Sequence, residues 1–334
     1  MTVALFTHPA CLAHDMGEGH PESPDRLRVV LRALEHPDFI PLLREEAPLV
    51  TREDLLRAHP ARYIDHIASL NPGAGELIPL DGDTLVGPAS YDAARRAAGG
   101  AVAAVEAVLA GWARASFVAT RPPGHHAEAE QAMGFCIFAN AAIAALVARD
   151  RLGIERIAVV DFDVHHGNGT AAILAGEPGM FYASSHQFPC YPGTGGELSV
   201  RPDGCDVPLP PGTKSEAFRA AYRDILLPAV DRFAPQLLII SAGFDAHKAD
   251  PLAQLRLETA DFTWVTNELL TIADRHAGGR VVSLLEGGYD LPALAASAAA
   301  HVRALLRISN KQKFFASFLQ KRRLAFYSFP LNSS

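Results

Sequence analysis

Short apolar runs punctuate the chain: "VALF" at 3–6, "ASFVAT" at 115–120, "IAVV" at 157–160, "MFYA" at 180–183, "LLII" at 237–240 and "RVVSLL" at 280–285. Each is brief, which favours a strand over a buried helix segment, and its apolar positions are mostly consecutive rather than alternate. That is the pattern of strands covered on both faces. Between them, Tyr91–Gly111, Ala139–Arg151, Ser215–Phe233 and Thr259–His276 are alanine- and leucine-rich stretches long enough for helices. Strands separated by helices need right-handed crossovers, so the pattern predicts a mostly parallel sheet between two helical layers.

Polar residues gather where the apolar runs stop. The five runs from 115 onward are followed by "RPPGHH", "DFDVHHGNG", "SSHQFPCYPGTGG", "SAGFDAHKADP" and "EGGYD". Ligands of open α/β sheets bind beyond the carboxyl ends of the strands, so five such ends together predict one pocket.

Side chains two apart in an extended segment share a face, which aims Asp161, Asp163 and His165 at one spot. Three polar groups pointed into a sheet interior need partners. A cation is one solution and a structural hydrogen-bond network the other. Asp245, after another predicted strand, completes an Asp/His/Asp set that suits a hydrolytic zinc with an open position, or ferrous iron on the same ligands. His247, beside Lys248 and Asp250, reads as part of a solvated loop. The adjacent His125 and His126 titrate in the range needed for proton transfer. Each ring needs its other nitrogen oriented, and Asp161 is free for that if Asp163 is the ligand, with Asn168 close by in the same motif. Tyr289, behind two glycines, can donate to a developing oxyanion. "YPGTGG" lacks the lysine of a phosphate loop and reads as a turn lining the pocket.

Composition narrows the class. Of 334 residues 49% are hydrophobic and 20% charged, which calls for a sizeable core. The net charge of −7 disfavours nucleic acid as a partner. No apolar run is long enough for a membrane span, and "MTVALFTHPA" lacks the basic and apolar regions of a signal peptide. The four cysteines show no CxxC spacing, which argues against disulfides and for a reducing, cytoplasmic setting. The segment 308–334 differs: it has five basic and no acidic residues, and its removal takes the net charge from −7 to −12. It divides the chain into a catalytic domain, 1–307, and a basic, Phe-rich tail, 308–334, foreign to the body in composition.

In order, "HPESPDR", "RPPGHHA", "GFCIFAN", "DFDVHHGNGT", "YPGTGG", "SAGFDAHKADPL" and "LLEGGYD" resemble the zinc-dependent histone deacetylase family, bacterial class II-like members above all. The resemblance implies the three-layer α/β/α arginase/deacetylase fold with a mostly parallel sheet of about eight strands. Carried onto this chain, it makes Asp163, His165 and Asp245 the zinc ligands. His126 becomes the general base, His125 its electrostatic or acid support, and Tyr289 the carbonyl-polarising phenol. Asp161 and Asn168 orient the histidines; Asn168 stands where class I relatives have aspartate, which should leave His126 less basic. Phe135, Tyr191, Leu252, Gly134, Gly287 and Gly288 line the acyl-lysine tunnel. Asp161, Asp163, His165 and Ser184 fall where the family holds a structural potassium ion.

The implied reaction is metal-assisted hydrolysis of acyl-lysine or another small N-acyl amine, releasing a carboxylate and a free amine. Leu252 replaces the glutamate of polyamine-selective relatives, which weakens an acetylpolyamine substrate. A manganese ureohydrolase and a non-catalytic acyl-amine binder are the rival readings, and homo-oligomerisation stays open.

Overall fold

The computed structural model of the protein describes residues 2–307. The basic tail expected at 308–334 lies outside them. In chain order the strands are β1 (Val3–Thr7), β2 (Leu42–Glu46), β3 (Ile78–Pro79), β4 (Leu85–Val86), β5 (Ala115–Val118), β6 (Ile157–Asp161), β7 (Met180–Gln187), β8 (Ser199–Arg201), β9 (Gly204–Leu209), β10 (Leu237–Ala242) and β11 (Val281–Leu285). Strands β3 and β4 pair by themselves. The rest form one sheet in the order β2-β1-β5-β11-β10-β6-β7-β9-β8. Only β8, at one edge, runs antiparallel to its neighbour; the others are parallel throughout.

Successive side chains leave a strand on opposite faces, which splits the core in two. Val3, Leu5, Phe117, Ala158 and Val160 enter one apolar layer with helices Pro24–Ala33, Thr259–His276 and Leu291–Leu305. Ala4, Phe6, Val118, Ile157 and Val159 enter the other with helices Ser90–Leu109 and Asn140–Asp150. The result is the three-layer α/β/α fold.

All six expected strands form, and three further members of the sheet had no apolar run to announce them. Strand β2, "LLREE", is an edge strand exposed at every position after Leu42. Strand β9 carries Asp206 and Pro208, and β8 is its short hairpin partner. The stretch Ser215–Phe233 is not one regular helix: a π turn at Tyr222–Leu226 joins two α segments. It lies just before Pro228, which has no N–H with which to continue an α turn. Among the described residues no helix is long and apolar enough to cross a membrane.

Candidate active site

The five strands whose ends carry the polar motifs lie side by side, β5-β11-β10-β6-β7. Because they are parallel, their carboxyl ends open on one edge of the sheet. Asp161 closes β6, and the chain then bends through Asp163, Val164 and His165. Phe162 and Val164 drop into the core while Asp161, Asp163 and His165 turn the other way. The carboxylates hold that shape themselves. Asp161 Oδ1 accepts the Asp163 N–H (3.0 Å), and Asp163 Oδ1 accepts the His165 N–H (2.9 Å). From the end of β10, Asp245 Oδ1 accepts the Val164 N–H at 2.9 Å, which fixes the two strand ends together.

His165 Nδ1 thus lies 3.1 Å from Asp163 Oδ1 and 3.2 Å from Asp245 Oδ2. One ligand atom from each of the three residues falls within 4.8 Å of the others. The donor set fits a cation. Asp245 Oδ2 is buried and accepts no hydrogen bond. Burial and the facing Asp163 push the Asp245 carboxyl up to about 7. Two buried carboxylates and an imidazole with an unpartnered oxygen match the oxygen and nitrogen ligands of zinc or ferrous iron. Gly287 leaves the room: its N–H donates to Asp163 Oδ2 (2.8 Å), and a Cβ there would overlap Asp245 Oδ2.

The tandem histidines approach from the end of β5, with ring centroids 4.0 Å apart. Their outer nitrogens have different partners. His125 Nδ1 meets Asp161 Oδ2 at 3.0 Å, an oxygen that also accepts the Tyr182 hydroxyl (3.0 Å). His126 Nδ1 meets Asn168 Oδ1 at 2.7 Å. Burial opposes charging His125, but Asp163 and Asp161 outweigh it and lift the imidazole to about 10. For His126, burial and then the neighbouring His125 and His165 charges hold the ring well below its ordinary value.

Tyr289 follows β11 on a loop gripped from two sides. Asp250 Oδ2 accepts its N–H at 2.7 Å while Oδ1 accepts the Leu252 N–H at 3.0 Å. From helix Pro24–Ala33, Arg26 Nε donates to the Gly288 carbonyl (2.6 Å), and its guanidinium lies 4.8 Å from the centre of the Tyr289 ring. Burial, with Asp245 and Asp163 acting against Arg26, keeps the Tyr289 phenol protonated well above its usual range.

The remaining expected residues surround this centre. The Phe135 ring meets Tyr289 edge-on at 5.9 Å, and Tyr191 meets His126 edge-on at 5.1 Å. Tyr191 and Leu252 are 39% and 38% exposed, which puts them at the rim. Gly134, with φ +55°, lies against the His126 ring, where any Cβ would overlap it. Gly288 has φ +126°. Ser184 stands directly across from Asp161 in the β6–β7 register, its Oγ 2.9 Å from His186 Nδ1.

One expectation needs correction. The His247 and Asp250 side chains are only 9% and 8% exposed, so these two are buried although Lys248, Ala249, Pro251 and Leu252 beside them are exposed. Asp250 is buried because it satisfies the two backbone N–H groups that join the β10 and β11 loops. Sequence reasoning also passed over Arg26, Glu128, Glu286 and Tyr182. Glu286 Oε2 accepts the N–H groups of Gly124 (2.8 Å) and His125 (3.2 Å), and so seats the tandem-histidine turn. For Arg26 a signal existed: it stands four residues after Glu22 in "HPESPDR", the spacing of an ion pair.

A histone deacetylase domain matches residues 20–305. The chain is 44% identical over 278 residues to a histone deacetylase-like amidohydrolase of Pseudomonas aeruginosa, covering 81% of this chain and 73% of that one. It is 34% identical over 304 residues to a probable deacetylase of Archaeoglobus fulgidus, covering 87% and 82%. The crystal structure of the HDA15 HD domain matches with a TM-score of 0.84 at 33% identity, over 92% of this chain and 89% of that chain. The nine-stranded three-layer sheet is the arginase/deacetylase fold, and the class it defines here is that of amide hydrolases with a carboxylate–imidazole site at the strand ends. This chain belongs to the histone deacetylase family and is a deacetylase.

Proposed function

We propose that the protein is a zinc-dependent amidohydrolase that removes acetyl or other short acyl groups from acyl-lysine or related N-acyl amines. The observation that carries this reading is the convergence of Asp163, His165 and Asp245 opposite the tandem histidines. Zinc or ferrous iron bound by those three would polarise an acyl carbonyl and acidify a water molecule.

The chain's own groups do the rest. His126, paired with a neutral amide, is the uncharged ring and takes the proton of water at Nε2. His125, paired with the Asp161 carboxylate, is the charged ring; it stabilises developing negative charge and can return a proton to the leaving amine. Tyr289 donates its hydroxyl to the oxyanion from a loop that Arg26 and Asp250 hold in place, so little reorganisation is needed as charge develops. Phe135 and Tyr191 supply the apolar walls that an extended aliphatic chain needs. A potassium ion at Asp161, Asp163, His165 and Ser184 is part of the same proposal, as is the division into a domain, 1–307, and a tail, 308–334.

Leu252 at the rim favours acyl-lysine over acetylpolyamines, since it offers no carboxylate to a protonated amine. Tyr289 counts against a pure acyl-amine binder, which has no use for an oxyanion donor. The test is turnover of the zinc-loaded protein on an acetyl-lysine peptide, acetylputrescine and acetylspermidine, with metal content measured in parallel. Tyr289→Phe and His126→Ala should each lower kcat by about 10²–10³-fold with one metal still bound per chain. Wild-type rates in both metal-loaded variants would sink the assignment.

A further inference from the structure

The partner of His126 is itself partnered. Asn168 accepts from His126 through Oδ1, while its Nδ2 donates to Glu128 Oε1 at 2.7 Å and lies 3.4 Å from Met133 Sδ. Asn168 is buried at 5% exposure, and Glu128 is half-buried at the edge of the same pocket. A carboxylate and a thioether can accept but cannot give an N–H. The amide nitrogen therefore has to face Glu128 and Met133, and the amide oxygen has to face His126.

The consequence reaches the chemistry. An oxygen facing Nδ1 places the neutral imidazole's only proton on Nδ1 and leaves Nε2 bare toward the pocket. Were the amide to flip, its NH₂ would donate to Nδ1, the ring proton would move to Nε2, and the ring would have no free base where water must lose its proton. An aspartate at 168 needs no such guard, because both of its oxygens accept. An asparagine does.

We infer that Glu128 is a positioning residue that locks the Asn168 amide, and through it the base-competent tautomer of His126, so that Glu128 supplies at one remove the carboxylate that position 168 lacks. This rests on His126 being the proton acceptor of the proposed reaction.

The test reads the tautomer directly, by imidazole ¹⁵N shifts of His126 in histidine-labelled, zinc-loaded protein, alongside kcat on an acetyl-lysine peptide and metal content. In the parent protein the Nδ1–H form should dominate. Glu128→Ala should shift His126 toward the Nε2–H form and lower kcat by between about ten- and a hundredfold at unchanged metal content. Glu128→Gln keeps an acceptor oxygen for the amide and should recover most of that loss. Asn168→Asp alone sets two carboxylates against each other and should also lose activity; adding Glu128→Gln should restore it. An unshifted tautomer in Glu128→Ala, or no rescue of Asn168→Asp by Glu128→Gln, overturns the inference. His126→Ala separates the two levels: full turnover there refutes the functional reading, whereas the tautomer of His126 reports on Glu128 whatever the rate.

Discussion

Asp245 shows how much of this site is decided by one oxygen. Its Oδ1 is spent on the Val164 N–H, and its Oδ2 is buried opposite Asp163, 3.2 Å from His165 Nδ1 but without a well-aligned hydrogen bond. Two carboxylates face each other in a dry pocket with only the His165 imidazole close to both, an excess of negative groups that a bound cation would offset. Asp245→Asn should therefore be at least as stable as the parent in chelator, and should lose more than about tenfold in zinc affinity. The parent should gain about 2.7 kcal/mol when zinc stands at a hundred times its Kd, and the variant should not. Melting curves with and without zinc, with metal content alongside, decide this; equal zinc stabilisation of the two proteins would remove Asp245 from the ligand set. The convergence of Asp163 and His165 was legible from the sequence because they alternate straight after an apolar strand, and Asp245 because it follows another. Glu128, Asp250 and Glu286 were not. They act through an amide side chain or through backbone N–H groups at distant strand ends, and no sequence pattern marks which N–H a carboxylate will find.

At the level of elements, the central strands were legible because burial on both faces leaves an apolar run, whereas β2 and β9 carry the polar residues and the proline that an edge region tolerates. The part that the N-terminal segment plays behind the site was less legible. Arg121, after β5, is wholly buried. It donates from Nε and Nη2 to the Glu22 carboxylate and from Nη1 to the Cys11 and His14 carbonyls (both 2.9 Å). Glu22 also takes Arg26 Nη1 at 2.8 Å, the same Arg26 that holds the Gly288 carbonyl behind Tyr289. Burial opposes ionising Glu22, yet Arg121 and Arg26 prevail and hold its carboxyl down at about 2. One carboxylate therefore ties the β5 loop and helix Pro24–Ala33 to the β11 loop. Arg121→Met leaves Glu22 short of a partner in a dry site and should cost about 3–5 kcal/mol. Urea unfolding measures it; a loss under about 1 kcal/mol would show that water replaces the guanidinium.

Across the whole molecule, the layer beneath the site sets a pH limit on the fold. Phe162 and Phe244, the sheet-side neighbours of Asp163 and Asp245, pack around His301 with ring centroids 5.9 and 5.8 Å away, and Phe117 closes the group at 5.7 Å. The Thr266 hydroxyl spends its proton on the Phe262 carbonyl, so it accepts from His301 Nδ1 (2.7 Å). That leaves Nε2 to accept from Ser283 Oγ (2.8 Å). The imidazole is thus neutral in a single tautomer, and burial lowers its pKa to about 3. In the unfolded chain the same ring takes a proton near 6.5. Between those values the unfolded state binds the extra proton, so this contribution is complete above about pH 6.5 and is lost as pH falls toward 3, with about 2 kcal/mol gone by pH 5. His59, lowered to about 4 by burial, acts in the same direction. Glu286, raised to about 7 mainly by burial, acts in the opposite one, so the raw stability curve mixes signs. His301→Gln separates them, because glutamine can serve the same hydroxyls without titrating. The stability of the parent relative to this variant should drop by about 2 kcal/mol between pH 7.5 and pH 5 in denaturant unfolding. A difference that stays flat over that range would mean that the folded protein admits the proton, and that the aromatic floor under the two aspartates is wetter than its packing implies.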